Sequence, residues 1–309
     1  MSEPLKPIGC NSSGRHDILV RDRRSPAHPG LPPRSELAVL ENPLSVVGVW
    51  CYKASVEKNL AFADLLRLMD ERSTAFQAAV AAAPSLEVRV PTCPEWTLLD
   101  LVQHLVEGRH KWAATVAAGP ADAPATFSAP AAPQKREALL TWFAASVREL
   151  LDALREAGPD RGCWTWWGLS QSPQTSGAVA RHQLQQLAVH TYDAQVTVGA
   201  PQPLSSQVAL DGVDEFLTTC CAGTEPWPHK PVVVDYHATE GRSWRLWVSD
   251  GRTRAAQLPH GTTADEAPEP ADVTAWGTAH ELVMFFYGRI PPESLRTEGD
   301  QGILDQLHA

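Results

Sequence analysis

The sequence predicts an α+β protein in which a four-helix bundle is followed by a smaller α+β domain. Between residues 55 and 200, apolar residues recur at helical spacing in four long segments. After Pro201 and Pro203, runs of β-branched and aromatic residues alternate with turn residues, a pattern typical of short strands. Helices grouped ahead of strands indicate two units rather than one α/β sheet.

The composition favours a globular protein and excludes several classes of partner. The chain has 309 residues, of which 43% are hydrophobic and 20% charged, so it can bury a substantial core. The net charge of -10 argues against nucleic acid and anionic membranes as partners. Because no transmembrane run or signal-peptide core is found, we expect a cytoplasmic protein. The cysteine spacing is not that of a disulfide framework or a zinc ribbon.

Residues 1–54 are predicted to be a disordered, proline-rich extension. The segment RDRRSPAHPGLPPRSE places Pro26, Pro29, Pro32 and Pro33 close together. Because proline fixes φ and lacks a backbone donor, this segment cannot form a regular element.

The predicted bundle spans residues 55–200. Its first helix lies in SVEKNLAFADLLRLMDERSTAFQAAVAAAP and ends at Pro84. VPTCPEWTLLDLVQHLVEGRHKWA predicts a turn and a second helix, which Thr97 can cap while Asp100 completes an acidic first turn. KREALLTWFAASVRELLDALREAG predicts the third helix, and the fourth runs from about Gly177 to Val198.

An aromatic loop, CWTWWGLSQSPQTSG, joins the last two of these helices. Its tryptophans could line a substrate pocket or could pack the loop against the bundle, and the sequence leaves both interpretations open.

Residues 205–309 are predicted to form the second domain. A helix near 205–221 comes first, and KPVVVDYHATEG with SWRLWVSDG then predicts a hairpin. ADVTAWGTAHELVMFFYGR predicts a short strand that leads into a helix. LRTEGDQGILDQL predicts a short strand or turn followed by a final helix.

Two histidines on different predicted helices provide the framework of a metal site. His104 lies on the second helix and His190 on the fourth, with Gln186 four residues before His190 and on the same helical face. Helical bundles build metal sites from inward-pointing side chains, and three ligands leave a position open for water, thiol or substrate. Asp193 could orient a ligand histidine or could simply bond at the helix end.

Three segments of the chain carry motifs of one known family. The first segment is VPTCPEWTLLDLVQHLVEGRHKWA, the second is ARHQLQQLAVHTYDAQ and the third is WGTAHELVMFFYGRIPPESLRTEGDQGILDQL. The matching features of the first are Val90-Pro91, Cys93-Pro94, Trp96, Asp100-Leu101 and His104. The three resemble signatures of the mycothiol-dependent maleylpyruvate isomerase family, within the wider DinB-like helical superfamily. They occur in the family's order, and the resemblance covers roughly residues 57–309.

The resemblance implies a DinB-like bundle that holds a divalent metal, usually zinc. The implied ligands are His104, His190 and, between them, Gln186, where the family has glutamate. An amide oxygen is a poorer zinc ligand than a carboxylate, so we expect weakened metal binding. His182, four residues before Gln186, is a candidate substitute ligand.

The resemblance also implies an activity, with mycothiol as a thiol cosubstrate. The expected reaction is isomerisation or thiol transfer on a small electrophilic substrate. The metal would assist it by stabilising the thiolate, which is the nucleophilic form of the thiol. In the isomerase, thiolate addition to a double bond permits rotation from cis to trans. Arg289, in the FYGR stretch, is the implied catalytic residue that holds a substrate carboxylate. It could instead be a surface cation that is favoured near a helix C-terminus.

Gln186 supports an alternative function as well. A family member that lost the metal-binding carboxylate could keep the fold as a small-molecule-binding or regulatory module. Under either hypothesis the expected partners are small molecules, including a low-molecular-weight thiol, and not nucleic acid or membrane. The sequence does not indicate the oligomeric state.

Overall fold

The computed structural model describes residues 60–128, 130–259 and 269–308, so the predicted extension lies outside the described residues. The predicted fold class is confirmed, because a helical bundle precedes a smaller part that contains both helices and a sheet. The four bundle helices are α1 (Phe62–Ala82), α2 (Leu98–Ala118), α3 (Arg136–Ala157) and α4 (Ser176–Thr197).

The start of α2 carries the predicted cap. The Thr97 hydroxyl accepts a hydrogen bond from the Asp100 backbone N–H at 3.2 Å, and the Thr97 N–H donates to Asp100 Oδ2 at 2.8 Å. This reciprocal capping box satisfies two backbone donors that the helix itself cannot. The preceding turn also contains a short antiparallel pair, β1 (Arg89–Val90) and β2 (Cys93–Thr97), which the sequence did not predict.

Replacing Thr97 by alanine is expected to lower the free energy of unfolding by about 1 kcal/mol, because the cap is lost. Thr141→Ala is the matched control, since the exposed Thr141 hydroxyl only bonds back to Glu137 O within α3. The control should change stability by less than about 0.5 kcal/mol. Equal losses in urea unfolding of the two variants would contradict a special role for this cap.

Helix α4 is buried on nearly all sides, because it packs against α1 and α2 in the bundle and against the C-terminal helix that follows it. In the bundle core, Phe76 of α1 stacks on Phe143 of α3 with ring centroids 4.7 Å apart. The burial of α4 extends to its polar side chains, including His182, Gln185 and His190. Polar groups in such surroundings need partners, which makes α4 the helix that organises polar sites.

The C-terminal part begins with a helix that changes type along its length. Helix α5 (Ser206–Glu215) continues directly into a π-helix (Phe216–Cys221), within the range predicted to be helical. Five strands follow in the spatial order β5–β4–β3–β6–β7, and only the β3–β6 pair is parallel. The strands are β3 (Val232–Ala238), β4 (Ser243–Ser249), β5 (Arg252–Gln257), β6 (Val273–Gly277) and β7 (Arg296–Gly299).

Two helices complete this part, namely α6 (Ala279–Phe286) and α7 (Gly302–His308). The hairpin of β3 and β4, the strand that enters α6 and the final helix agree with the sequence prediction, whereas β5 was not predicted. Across the parts of the chain that the structure describes, no helix has the length and apolar character needed to span a membrane.

Candidate metal centre

The structure brings His104 and His190 together from different helices. Their ring centroids lie 5.2 Å apart, and the two ring planes are nearly perpendicular at 80°. His104 projects from the second turn of α2, and His190 lies in the C-terminal half of α4. Gln186 lies one turn before His190 on α4 and is partly buried.

Trp96, at the end of β2, covers both imidazoles. Its ring centroid lies 4.7 Å from that of His104 and 6.1 Å from that of His190. The capped turn between β2 and α2 therefore sets the positions of Trp96 and His104 together.

Asp193 fixes the orientation of His190. The hydrogen bond between His190 Nδ1 and Asp193 Oδ2 is 2.8 Å long, and the carboxylate requires the imidazole to donate from Nδ1. In the neutral ring this leaves Nε2 with the lone pair that a metal would use. Burial lowers the pKa of His190 despite the opposing effect of Asp193, so the neutral form is favoured.

Asp193 is itself held by Thr92 and Arg289, in addition to its bond with His190. The Thr92 hydroxyl donates to Oδ1 at 2.6 Å. The Arg289 guanidinium donates through Nε to Oδ1 at 3.0 Å and through Nη2 to Oδ2 at 2.7 Å. Burial alone would raise the pKa of Asp193, but the bond to His190 and the Arg289 charge lower it below its usual value. The carboxylate is therefore ionised, fully buried and bonded on both oxygens.

Arg289 follows α6 and connects the C-terminal part to this centre. Besides the bidentate pair with Asp193, its Nη1 donates to the Tyr287 carbonyl at 2.6 Å and its Nη2 to the Cys93 sulfur at 3.3 Å. The side chain is only 3% exposed, so the alternative of a surface cation is wrong. Its action on a substrate carboxylate stays a prediction.

Arg109 is a second buried cation near the centre, and the sequence analysis missed it. It is 2% exposed, its guanidinium carbon lies 4.6 Å from the Phe143 ring centroid, and burial lowers its pKa to about 9. Its charge contributes to lowering the pKa of His190. Among the residues described, its buried Nη1 has no hydrogen-bond partner. Helical spacing alone gave no signal, because an arginine on α2 is ordinarily expected at the surface.

His182 does not join His104 and His190, so the expectation of a substitute ligand is wrong. Its Nδ1 lies 2.9 Å from Glu215 Oε1. Its ring packs against Trp112 and Trp167, with centroid distances of 6.4 and 5.1 Å. The physical reason is distance, since eight residues of α-helix separate His182 from His190 by about 12 Å.

Two family profiles match this chain. Residues 66–195 match the mycothiol maleylpyruvate isomerase N-terminal domain, and residues 207–306 match the MDMPI C-terminal domain. The chain belongs to the mycothiol maleylpyruvate isomerase family. The family is named for an enzyme. In this chain the N-terminal domain of the family precedes its C-terminal domain.

Two solved structures are similar to this member of the mycothiol maleylpyruvate isomerase family. One is a crystal structure of the mycothiol-dependent maleylpyruvate isomerase, with 15% sequence identity, and the other is a mutant of it, with 14%. Each likeness covers 77% of this chain and 93% of that chain, with a TM-score of 0.49. A comparison with curated protein sequences finds no match.

The donor set of this family member fits a divalent metal, with one weakness. His190 offers an oriented Nε2, and His104 lies close enough to offer a second imidazole nitrogen. Gln186 stays a predicted third ligand, and its amide is neutral where the family has a charged carboxylate. Counting Arg109, Arg289 and ionised Asp193, the surrounding formal charge is +1, which opposes a dication.

Proposed function

We propose that the chain is a mycothiol-dependent isomerase or thiol transferase that acts on a small electrophilic substrate. In this proposal His104, Gln186 and His190 bind a divalent metal, zinc being the ion expected for the family. The convergence of the two imidazoles, with ring centroids 5.2 Å apart, is the observation that carries the proposal. The orientation of His190 by Asp193 supports it, because metal-binding histidines usually donate their other ring N–H to such a partner.

The bound metal would favour the thiolate form of mycothiol at neutral pH. In the isomerisation, the thiolate sulfur forms a bond to one carbon of a cis double bond, and the electron pair moves to a conjugated carbonyl. The former double bond rotates as a single bond. Return of the electron pair expels the thiolate and forms the trans double bond, so the thiol is regenerated and nothing is oxidised.

The protein side chains would bind and shield this reaction. Trp96 would limit the access of water, and Asp193 would hold His190 in the tautomer that leaves Nε2 available. For Arg289 we propose the role that the family resemblance implies, which is to bind a carboxylate of the substrate. The donors would be the same guanidinium N–H groups that bond Asp193. Arg109 adds positive charge nearby, which would favour an anionic substrate.

The test is a cis–trans isomerisation assay with mycothiol on protein purified without chelator, together with its zinc content. His104→Gln is expected to lower the rate at least about tenfold and to weaken zinc binding at this centre, because one of three ligands is lost. His110→Gln is the matched control, since His110 lies on the same helix but bonds Glu149 at 2.7 Å. Full activity in the His104→Gln variant would overturn the proposal.

A small-molecule-binding or regulatory module is the second candidate function. The observation that favours it is the amide at Gln186 together with the excess positive charge contributed by Arg109 and Arg289. If it holds, metal-free protein binds mycothiol or a carboxylate ligand in calorimetry, and His104→Gln leaves that affinity unchanged. Loss of ligand binding on metal removal would contradict it.

A further inference from the structure

A second cluster of metal-binding side chains lies between the bundle and the C-terminal part. His182 of α4, Glu215 at the end of α5 and Cys220 of the π-helix place one ligand atom each within 4.8 Å of one another. The closest approach is 2.9 Å, between His182 Nδ1 and Glu215 Oε1. His182 and Glu215 are 5% and 1% exposed.

The π-helix explains why Glu215 and Cys220 share a face. In an α-helix of 3.6 residues per turn, side chains five residues apart point in clearly different directions. A π-helix, with its i→i+5 hydrogen bonds, stacks residue i+5 close to residue i, and the bond from Ala222 N–H to Leu217 O has this spacing. Single π-helical turns are uncommon and often accompany functional sites. The change in helix type therefore aligns the carboxylate with the thiol.

The Glu215 carboxylate is not satisfied by its protein neighbours. Within the described part of the chain, its buried Oε2 has no hydrogen-bond partner, and neither has the buried hydroxyl of Thr219. The nearby cation Arg181 is already bonded to Asp211 at 2.9 Å and to Asp214 at 2.8 Å. Burying a carboxylate oxygen that has no hydrogen-bond partner costs free energy, unless a cation or a hydrogen-bond donor satisfies it.

The surrounding charge is the reverse of that at the His104–His190 centre. Asp211, Asp214 and Glu215 oppose a single arginine, Arg181, so the formal charge of this set is -2 with all four ionised. Such an environment attracts a dication.

The donor types select the class of ion. Imidazole nitrogen, carboxylate oxygen and thiolate sulfur together suit zinc and similar divalent transition metals rather than magnesium or calcium. A bound cation would favour the thiolate form of Cys220, which is the form that binds metal. Ligand atoms around one zinc lie about 3–4 Å apart, so the cluster needs to contract by about 1 Å.

A cavity of about 460 Å³ adjoins the cluster. Its lining includes the aromatic loop residues 164–167 together with Thr219 and Cys220. Trp166, which belongs to this lining, is 41% exposed to solvent. A metal held by three side chains at the wall of such a cavity would keep one coordination position open to water or a small ligand.

We propose that His182, Glu215 and Cys220 form a second site for a zinc-like divalent transition metal. The site joins α4 to the π-helix, and its fourth position opens to the cavity beside the aromatic loop. It is separate from the pair His104 and His190 and does not depend on the proposed isomerase activity.

Cobalt titration of the metal-free, full-length chain tests the site, because thiolate-bound Co²⁺ gives a near-ultraviolet charge-transfer band. None of the three ligands proposed for the first centre supplies sulfur, so the band reports Cys220. The band is expected in the unmodified chain and in His104→Gln. Zn²⁺ should displace the bound Co²⁺ and abolish the band, whereas Mg²⁺ should not. It should disappear in Cys220→Ser and persist in Cys221→Ser, the adjacent-cysteine control.

A second measurement covers variants that fold poorly. Saturating Zn²⁺ is expected to raise the midpoint of thermal unfolding of His104→Gln, and this gain should vanish when Glu215→Gln is added. The Glu215→Gln variant should also bind Co²⁺ at least tenfold more weakly. No charge-transfer band at saturating Co²⁺, or a band that survives Cys220→Ser, would overturn the second site. Loss of isomerase activity with the band retained would count only against the proposed function.

Discussion

Replacing Asp193 by asparagine is expected to lower the free energy of unfolding by about 3–5 kcal/mol. Asp193 is fully buried and bonds Arg289 in a bidentate pair at 2.7 and 3.0 Å. Asparagine removes the carboxylate charge that pairs with the buried Arg289 guanidinium, whose side chain is 3% exposed. Urea unfolding of the metal-free variant measures the loss, with circular dichroism to verify that the remaining protein is folded.

An exposed pair provides the comparison. Asp152 and Arg155 lie 2.8 Å apart on α3, but their side chains are 72% and 56% exposed, so Asp152→Asn should change stability by no more than about 1 kcal/mol. A double variant, Asp193→Asn with Arg289→Gln, should lose less stability than the sum of its two single variants, because both single variants break the same ion pair. Additive losses would contradict the coupling of Asp193 to Arg289.

The same substitution should weaken metal binding. Loss of an oriented hydrogen-bond partner typically lowers the affinity of a histidine-bound metal about 10- to 100-fold. Asp193 thus connects three parts of the molecule. The turn before α2 supplies Thr92, the fourth helix supplies His190, and the segment that follows α6 supplies Arg289. The C-terminal part therefore contributes to the centre through an arginine that orients a ligand indirectly.

Local features of the fold were predictable because their causes are local. The capping box of Thr97 and Asp100 was expected from a spacing of three residues, and the structure contains both of its bonds. The four bundle helices follow from apolar periodicity in the same way. The short strands of the turn before α2 left no such signal, because two residues of β1 are too few to show a period.

The candidate site was only partly predictable, because its partners are distant in sequence. Spacing could place Gln186 on the face of His190, but the approach of His104 rested on the family resemblance. Nothing in the sequence marks Arg109 as buried, since that depends on Phe143 of another helix. Glu215 and Cys220 are five residues apart, and this spacing does not place two side chains on one face of an α-helix. The α-helical period therefore gives no sign of the second cluster.

Replacing Gln186 by glutamate is expected to raise the affinity of the His104–His190 centre for Zn²⁺ at least about tenfold. A carboxylate would bring the surrounding formal charge from +1 to zero, with Arg109 and Arg289 opposed by Asp193 and the new glutamate. Opposite unit charges 4 Å apart attract by about 4 kcal/mol at an effective dielectric constant of 20, and desolvation offsets part of this. About 1.4 kcal/mol is sufficient for a tenfold change.

The measurement is a zinc competition titration against a chromophoric chelator, in a Cys220→Ser background that disables the second cluster. Gln195→Glu is the matched control, because it introduces the same charge on α4 at a side chain that accepts from Gln202 N–H instead. If the control leaves zinc affinity unchanged while Gln186→Glu raises it, then residue 186 acts as a ligand and the amide accounts for weak metal binding. Equal affinities for Gln186→Glu and its parent would show that residue 186 does not reach the metal, and the three-ligand centre would have to be abandoned.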